Sequence, residues 1–253
     1  LKKSISIALI FTVGLLVVAY PHISRLINEQ ITEAKVYELQ EGWEGLTEQE
    51  REHQIEEAEE HNADILERGG LGVDLGEIDF TDSNSEGGVV AASTSSTNNE
   101  DYVDDGGAGE GLEGSLNGPV SEVYASIEIP KLSLNLPIYL NTSRWALARG
   151  VGQVTGASLP IGGESTHTVL AGHRGMATQQ MFQHLDRLNE GDEFIIHSIN
   201  GPLRYRVYDT QVILPHQTGG LEIVRGKDLA SLVTCHPYGA NTHRLIVQGE
   251  RVN

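Results

Sequence analysis

The chain has 253 residues, 39% of them hydrophobic and 6% aromatic, with a single cysteine. That is enough for one substantial core, and it excludes an internal disulfide framework. The formal net charge of −19 is lopsided: residues 1–123 hold 26 Asp and Glu against 6 Lys and Arg, whereas residues 124–253 hold 10 against 11. Neither half carries the basic stripe that phosphate backbones require, so nucleic acid is not an expected partner.

Residues 1–22 open with Lys2-Lys3 and an apolar run from Ile5 to Tyr20, closed by Pro21-His22. The run is somewhat shorter than the roughly 20 residues of a spanning helix and near the length of a signal-peptide core. No small-x-small cleavage site follows, and Ile23, Leu26 and Ile27 extend the apolar face by a turn. A retained membrane anchor is therefore favoured over a cleaved signal or a buried soluble helix, with the remainder of the chain outside the cytoplasm by the positive-inside rule. Residues 23–68 are acidic and place Ile27, Ile31, Ala34, Leu39, Ile55 and Ala58 at helical spacing. Two helices are expected, separated near Gly42 to Gly45, with Thr47-Glu48-Gln49-Glu50 as a capping box, together forming a solvated spacer. Residues 69–118 turn to Gly, Ser, Thr, Asn and Asp and read as a long loop or linker.

Residues 119–253 change texture. Short β-type runs at Ala125–Ile129, Pro137–Leu140, Thr166–Ala171, Glu193–Ser198, Leu203–Leu214, Leu229–Thr234 and Leu245–Gln248 are separated by Pro and Gly clusters. Short helices are expected near Ser143–Ala148 and Gln179–Leu188, the second with Met181, Phe182, Leu185 and Leu188 on one face. The pattern is that of a mainly β barrel or sandwich.

Cys235 ends one apolar run and Arg244 begins the next, with Pro237 and Gly239 in the connection. If the connection reverses the chain, thiol and guanidinium face each other across adjacent strand ends. That arrangement suits acyl transfer, in which a thiolate attacks a carbonyl and a fixed guanidinium donates to the developing oxyanion. An ordinary thiol is mostly protonated at neutral pH and needs a base or a cation beside it. Ten histidines compete for that role. His173 is best placed, after the strand Thr168–Ala171 and between Gly172 and Gly175, while His184, His197 and His216 fit turns or surfaces. Thr234, His236 and His243, adjacent to the pair, are candidates for supporting it or contacting substrate. A lone cysteine is also commonly an inert buried side chain, and spacing alone leaves that reading open.

The segments Leu170-Ala171-Gly172-His173-Arg174-Gly175 and Leu232-Val233-Thr234-Cys235, with Arg244 nine residues on, resemble the sortases, cysteine transpeptidases of Gram-positive cell surfaces. The resemblance extends through Ile127–Lys131, Leu136–Tyr139, Gly162–His167 and Gly191–Phe194, covers nearly all of residues 124–253, and is similar in detail to class C, the pilin polymerases. It implies a closed barrel of about eight strands with short helices. It also implies Cys235 as nucleophile, His173 as general acid/base and Arg244 as oxyanion and substrate stabiliser. The implied reaction cleaves a Leu-Pro-x-Thr-Gly-like sorting signal between Thr and Gly and passes the acyl group to a lysine of the next pilin, with no cofactor or metal. A sortase that attaches proteins to a peptidoglycan amine is the nearest alternative, and a non-catalytic adhesion or scaffold module on the same barrel is the alternative of another class.

Class C members resemble one another in a lid before the barrel, anchored by Asp-Pro-aromatic. Asp79-Phe80 is similar but lacks the proline, so a less restrained lid is implied, with Asp79 paired to Arg244 and Phe80 over Cys235. Asp101-Tyr102 is a rival anchor, and an undocked lid is the third possibility. The family commonly continues into a further membrane helix beyond Asn253, where this sequence stops.

Overall fold

The computed structural model describes residues 2–70, 75–80, 123–176 and 179–252; the rival anchor Asp101-Tyr102 and the low-complexity tract fall outside these residues. Helix α1 runs unbroken over Lys2–Glu44. Pro21 lies inside it instead of ending it, because the one main-chain bond a proline removes is a local loss that long flanking turns accommodate. By length and composition the helix is apolar enough to cross a membrane. It ends where Gly45 donates to the Glu41 carbonyl at 3.0 Å.

Helix α2, Glu48–Glu67, starts on the expected capping box: Thr47 Oγ1 accepts from Glu50 N–H at 3.3 Å, and Glu50 returns a bond to Thr47 N–H at 2.9 Å. The helix is not the solvated spacer its acidic composition suggests. Ala58, Asn62 and Ile65, at i, i+4 and i+7, form one buried face, while the glutamates occupy the others. Ala58 packs with Leu159, Ile161 and Ile199 of the following domain, flanked by Trp43, Leu46 and Ile55. Asn62 behaves like a strand partner, accepting from Leu159 N–H at 2.7 Å and donating to its carbonyl at 3.4 Å.

Eight strands close the barrel: β1 Ala125–Ile129, β2 Leu134–Tyr139, β3 Val151–Gln153, β4 Thr166–Ala171, β5 Glu193–Ser198, β6 Gly201–Ile213, β7 Asp228–His236 and β8 His243–Arg251. Their order is β1-β2-β3-β4-β7-β8-β6-β5, with β5 returning to β1. Most neighbours are antiparallel, but β2 pairs with β3 and β4 with β7 in parallel. A one-turn helix α3, Arg144–Leu147, capped by Ser143, joins β2 to β3. The expected helix over Gln179–Leu188 is instead a set of turns with a single 3₁₀ turn at Leu185–Arg187. Its apolar residues Met181, Phe182, Leu185 and Leu188 are nonetheless buried in the barrel core, so spacing identified the buried set and mistook the backbone that presents it.

Strand β4 and the interior of β7 are buried on both faces, which is why they read as continuous apolar runs and not as alternation. Leu232 and Leu245 point into the barrel with Ile127, Phe194 and Val247. Their neighbours Val233 and Ile246 point outward into a second cluster with Leu147, Val154, Val169 and Leu221. Cys235 shares the outward parity of Val233, and Arg244 that of Ile246.

Replacing Asn62 with Leu strands the main-chain groups of Leu159 and is expected to cost about 1–3 kcal/mol. The melting temperature should fall by several degrees in a thermal melt; an unchanged melt would show that the Asn62 bonds add nothing to the docking of α2.

Candidate active site

Strands β7 and β8 are in register at Cys235↔Arg244 and His236↔His243, so the connection does reverse the chain and set thiol against guanidinium. Beside them the parallel ladder of β4 and β7 reaches Ala171↔Val233. Gly172 N–H then donates to the Val233 carbonyl at 3.0 Å, and Thr234 Oγ1 donates to the Gly172 carbonyl at 2.7 Å. Thr234 thus fixes the exit of β4 from within the barrel wall. His173, the next residue, joins Cys235 in lining a cleft of about 190 Å³ with Phe80, Arg174, Gly175, Tyr238, Gly239 and Asn241.

The glycines around His173 have specific reasons. A Cβ on Gly172 would come within 2.9 Å of the Phe182 ring, and Gly175 has φ +124°, a conformation side chains rarely adopt. Of the other histidines, His167 is buried away from the cleft between the Glu222 carbonyl and Ser231 Oγ, at 2.9 and 2.8 Å. His197 contacts Glu128 on the barrel surface. His243 contacts Thr242 Oγ1, and His236 faces Arg174.

Cys235 and His173 are 3% and 4% exposed, and Arg244 is 7% exposed. Burial pushes the Cys235 thiol above its ordinary range, and the cations of Arg244 and Arg174 pull it partly back. The Nη1 group of Arg244 donates to the carbonyls of His243 and Asn241 at 3.2 and 3.4 Å, and its Nη2 to the Leu75 carbonyl at 3.4 Å. Its Nε–H is buried and has no partner among the described residues. An open buried donor on the residue in register with the cysteine is the kind of group that stabilises a developing oxyanion. Among the described residues no group of three or more His, Cys, Asp or Glu side chains is arranged to hold a metal ion.

Residues 75–80 lie across this site. Phe80 meets the His173 ring edge-on at 6.0 Å and packs under the Arg244 guanidinium at 5.0 Å. With Cys235 and Asn241 it also borders a second cleft of about 430 Å³ that contains Arg244 and residues 76–79. Sequence reading expected Asp79 to pair with Arg244; Asp79 forms an ion pair with Arg144 of α3, a partner that reading did not name. Arg244 is already engaged by three carbonyls and a ring, whereas Arg144 extends from the first turn of α3 toward the segment. Sequence reading missed Leu75 and Ile78, which insert into the outer apolar cluster with Leu147, Val233 and Ile246. The available signal was two apolar residues three apart in a glycine-rich tract.

A closed eight-stranded barrel with thiol, guanidinium and imidazole gathered at the ends of β7, β8 and β4 defines a cysteine-dependent site of one architectural type. Residues 127–252 match the sortase domain model. Sortase D of Bacillus subtilis is 30% identical over 129 residues, which cover 50% of this chain and 62% of that protein. The chain thus spans about 60% of the length of the curated relatives it matches. Among solved structures, sortase C1 of group B Streptococcus pilus island 1 is 32% identical, with a TM-score of 0.67 over 88% of this chain and 92% of that one. Clostridium perfringens sortase C, solved with the C-terminal cell wall sorting motif, is 32% identical, with a TM-score of 0.66 over 87% and 98%. Sortase C-1 of Actinomyces oris is 49% identical over 52% of this chain and 74% of that one, with a TM-score of 0.51. The chain belongs to the sortase family.

Two measurements probe the cover over the site. The Asp79–Arg144 pair is largely exposed, with the Arg144 side chain at 62%, and such pairs contribute at most about 1 kcal/mol. Leu75 is fully buried, and truncating such a side chain costs about 2–5 kcal/mol. Leu75→Ala should therefore accelerate labelling of Cys235 by a thiol reagent by tenfold or more, and Arg144→Ala by only a few fold; the reverse ranking would reassign the anchor. Labelling of Phe80→Ala protein should also rise through a midpoint above that of an exposed cysteine, because burial favours the neutral thiol. A midpoint below the ordinary range would contradict the burial-dominated environment.

Proposed function

We propose that this protein is a membrane-anchored class C sortase, a cysteine transpeptidase that joins pilin subunits outside the cytoplasm. The observation that carries the reading is the register pair Cys235↔Arg244, with a buried guanidinium Nε–H that has no partner among the described residues, and His173 sharing a cleft with Cys235. The kinship with sortase C structures and the Phe80 segment over the thiol support the class.

In this reading His173 takes the Cys235 proton as Sγ attacks the threonine carbonyl of a Leu-Pro-x-Thr-Gly-like signal, and Arg244 donates to the resulting oxyanion. Collapse of the tetrahedral intermediate breaks the Thr–Gly bond; His173 returns the proton to the departing glycine amine and leaves a thioester on Cys235. A lysine amine of the next pilin then attacks the thioester, loses its proton to His173, and expels the thiolate with formation of an isopeptide bond. Burial of Cys235 favours aminolysis by limiting the water that reaches the thioester. Helix α1 supplies the membrane anchor, and Trp43 near its C-terminus packs on the cluster that includes Leu159, Ile161 and Ile199.

Purified enzyme incubated with a pilin carrying the sorting signal should yield a covalent ladder on a denaturing gel, lost when the pilin's acceptor lysine is replaced. A ladder that survives that replacement contradicts polymerisation through the lysine, and transfer to a peptidoglycan-type amine alone supports an anchoring sortase. Arg244→Lys should lower turnover by a hundredfold or so despite the retained charge, because an ammonium lacks the directed fork. Near-normal turnover in that variant would reduce Arg244 to a structural role.

A further inference from the structure

Arg174 follows His173 and is as buried as Arg244, at 7% exposure, yet the chemistry above gives it no task. Four of its contacts are resolved. Its Nε donates to the Gln183 carbonyl at 3.1 Å, its Nη1 to the Cys235 carbonyl at 3.2 Å and toward His236 Nδ1 at 3.3 Å, and its Nη2 pairs with Asp186 at 3.1 Å. The side chain therefore links the turn at 183–186 to the end of β7.

The place of these bonds in the ladder gives them meaning. Parallel strands bond in steps of two residues. The rung after Gly172 N–H to the Val233 carbonyl would be Cys235 N–H to the Gly172 carbonyl, which accepts from Thr234 Oγ1, and the one after that Arg174 N–H to the Cys235 carbonyl. Among the described residues that main-chain bond is not made, and the guanidinium of the same residue reaches the same carbonyl. The backbone has left the ladder at His173, which brings the imidazole into the cleft, and Phe182 N–H holds the His173 carbonyl at 2.9 Å. We propose that Arg174 is a positioning residue whose guanidinium stands in for the missing rung between β4 and β7, holding the His173 and Cys235 segments at a fixed separation.

The inference rests on the transpeptidase reading for the roles of His173 and Cys235. A planar fork is needed because four separate partners lie along the guanidinium, which an ammonium on a flexible stem cannot fix together. Asp186 is the sole carboxylate paired with Arg174 among the described residues, and its side chain is 51% exposed, so Asp186→Asn loosens the guanidinium without opening the core.

The test compares wild type with Arg174→Lys, Arg174→Met and Asp186→Asn in thioester formation from a sorting peptide, with amide hydrogen exchange alongside. Both Arg174 variants should lose about tenfold or more in kcat with KM within about twofold, and Asp186→Asn a few fold in kcat. Exchange should quicken at residues 172–176 and 233–236 while the rest of the barrel keeps its protection. The lysine variant separates geometry from charge: it retains a cation near Cys235, so its thiol-labelling midpoint should stay near wild type while its kcat falls. Arg174→Lys with wild-type kcat, a loss confined to KM, or exchange that rises uniformly would overturn the proposal. If Arg174→Met does not fold, the lysine and Asp186 variants decide. If wild-type enzyme forms no thioester, the transpeptidase reading fails, and the local exchange change still decides whether Arg174 holds the two segments.

Discussion

The antiparallel register of β7 and β8 is the constraint on which the rest of this site depends. Because side chains alternate along a strand, pairing Cys235 with Arg244 places both on the outer wall of the barrel, while Leu232 and Leu245 fill its interior. A slip of one residue would turn the thiol toward the core and the guanidinium into apolar surroundings. The long match between the two strands, from Leu229↔Glu250 to His236↔His243, prevents that slip. The parallel partner β4, running in the same direction as β7, supplies the third group, and its departure from the ladder after Gly172 places His173 at the cleft.

The site is built from buried polar groups with unequal satisfaction. Arg174 has four resolved contacts and serves as a rigid strut, whereas Arg244 keeps one buried donor open among the described residues. Leaving a buried donor unsatisfied costs on the order of 1–3 kcal/mol, a cost that an anionic oxygen would offset in the proposed reaction. The two arginines flank one thiol, and both oppose the effect of burial on it. The Phe80 ring packs against Arg244 and meets His173, held in place mainly by the burial of Leu75 and Ile78, with the exposed Asp79–Arg144 pair secondary.

Much of the barrel and the facing of Cys235 with Arg244 were legible in the sequence because strand periodicity and turn residues are local signals. His173 was ranked first by its flanking glycines, and the structure supplies the reasons: one glycine lies against the Phe182 ring and the other has positive φ. What was not legible depends on distant partners. Asp79 could not be matched to Arg144 by local pattern, since 65 residues separate them. The docking of α2 was hidden because its buried face consists of an alanine, an asparagine and an isoleucine among glutamates, too weak an apolar stripe to outweigh the charge. Over Gln179–Leu188 the spacing suggested a helix where the barrel mouth required turns; Met181 in fact has φ 44°.

The central claim is that Cys235 forms an acyl bond at this site while Arg244 stabilises the oxyanion. Its most direct test is intact-mass spectrometry of the enzyme quenched in acid after a brief exposure to excess sorting-signal peptide. The account predicts a mass increase equal to the peptide fragment ending in threonine less one water, mapped to Cys235 and absent from Cys235→Ala. No adduct on wild-type or Phe80→Ala enzyme, or an equal adduct on the Cys235→Ala protein, would contradict it.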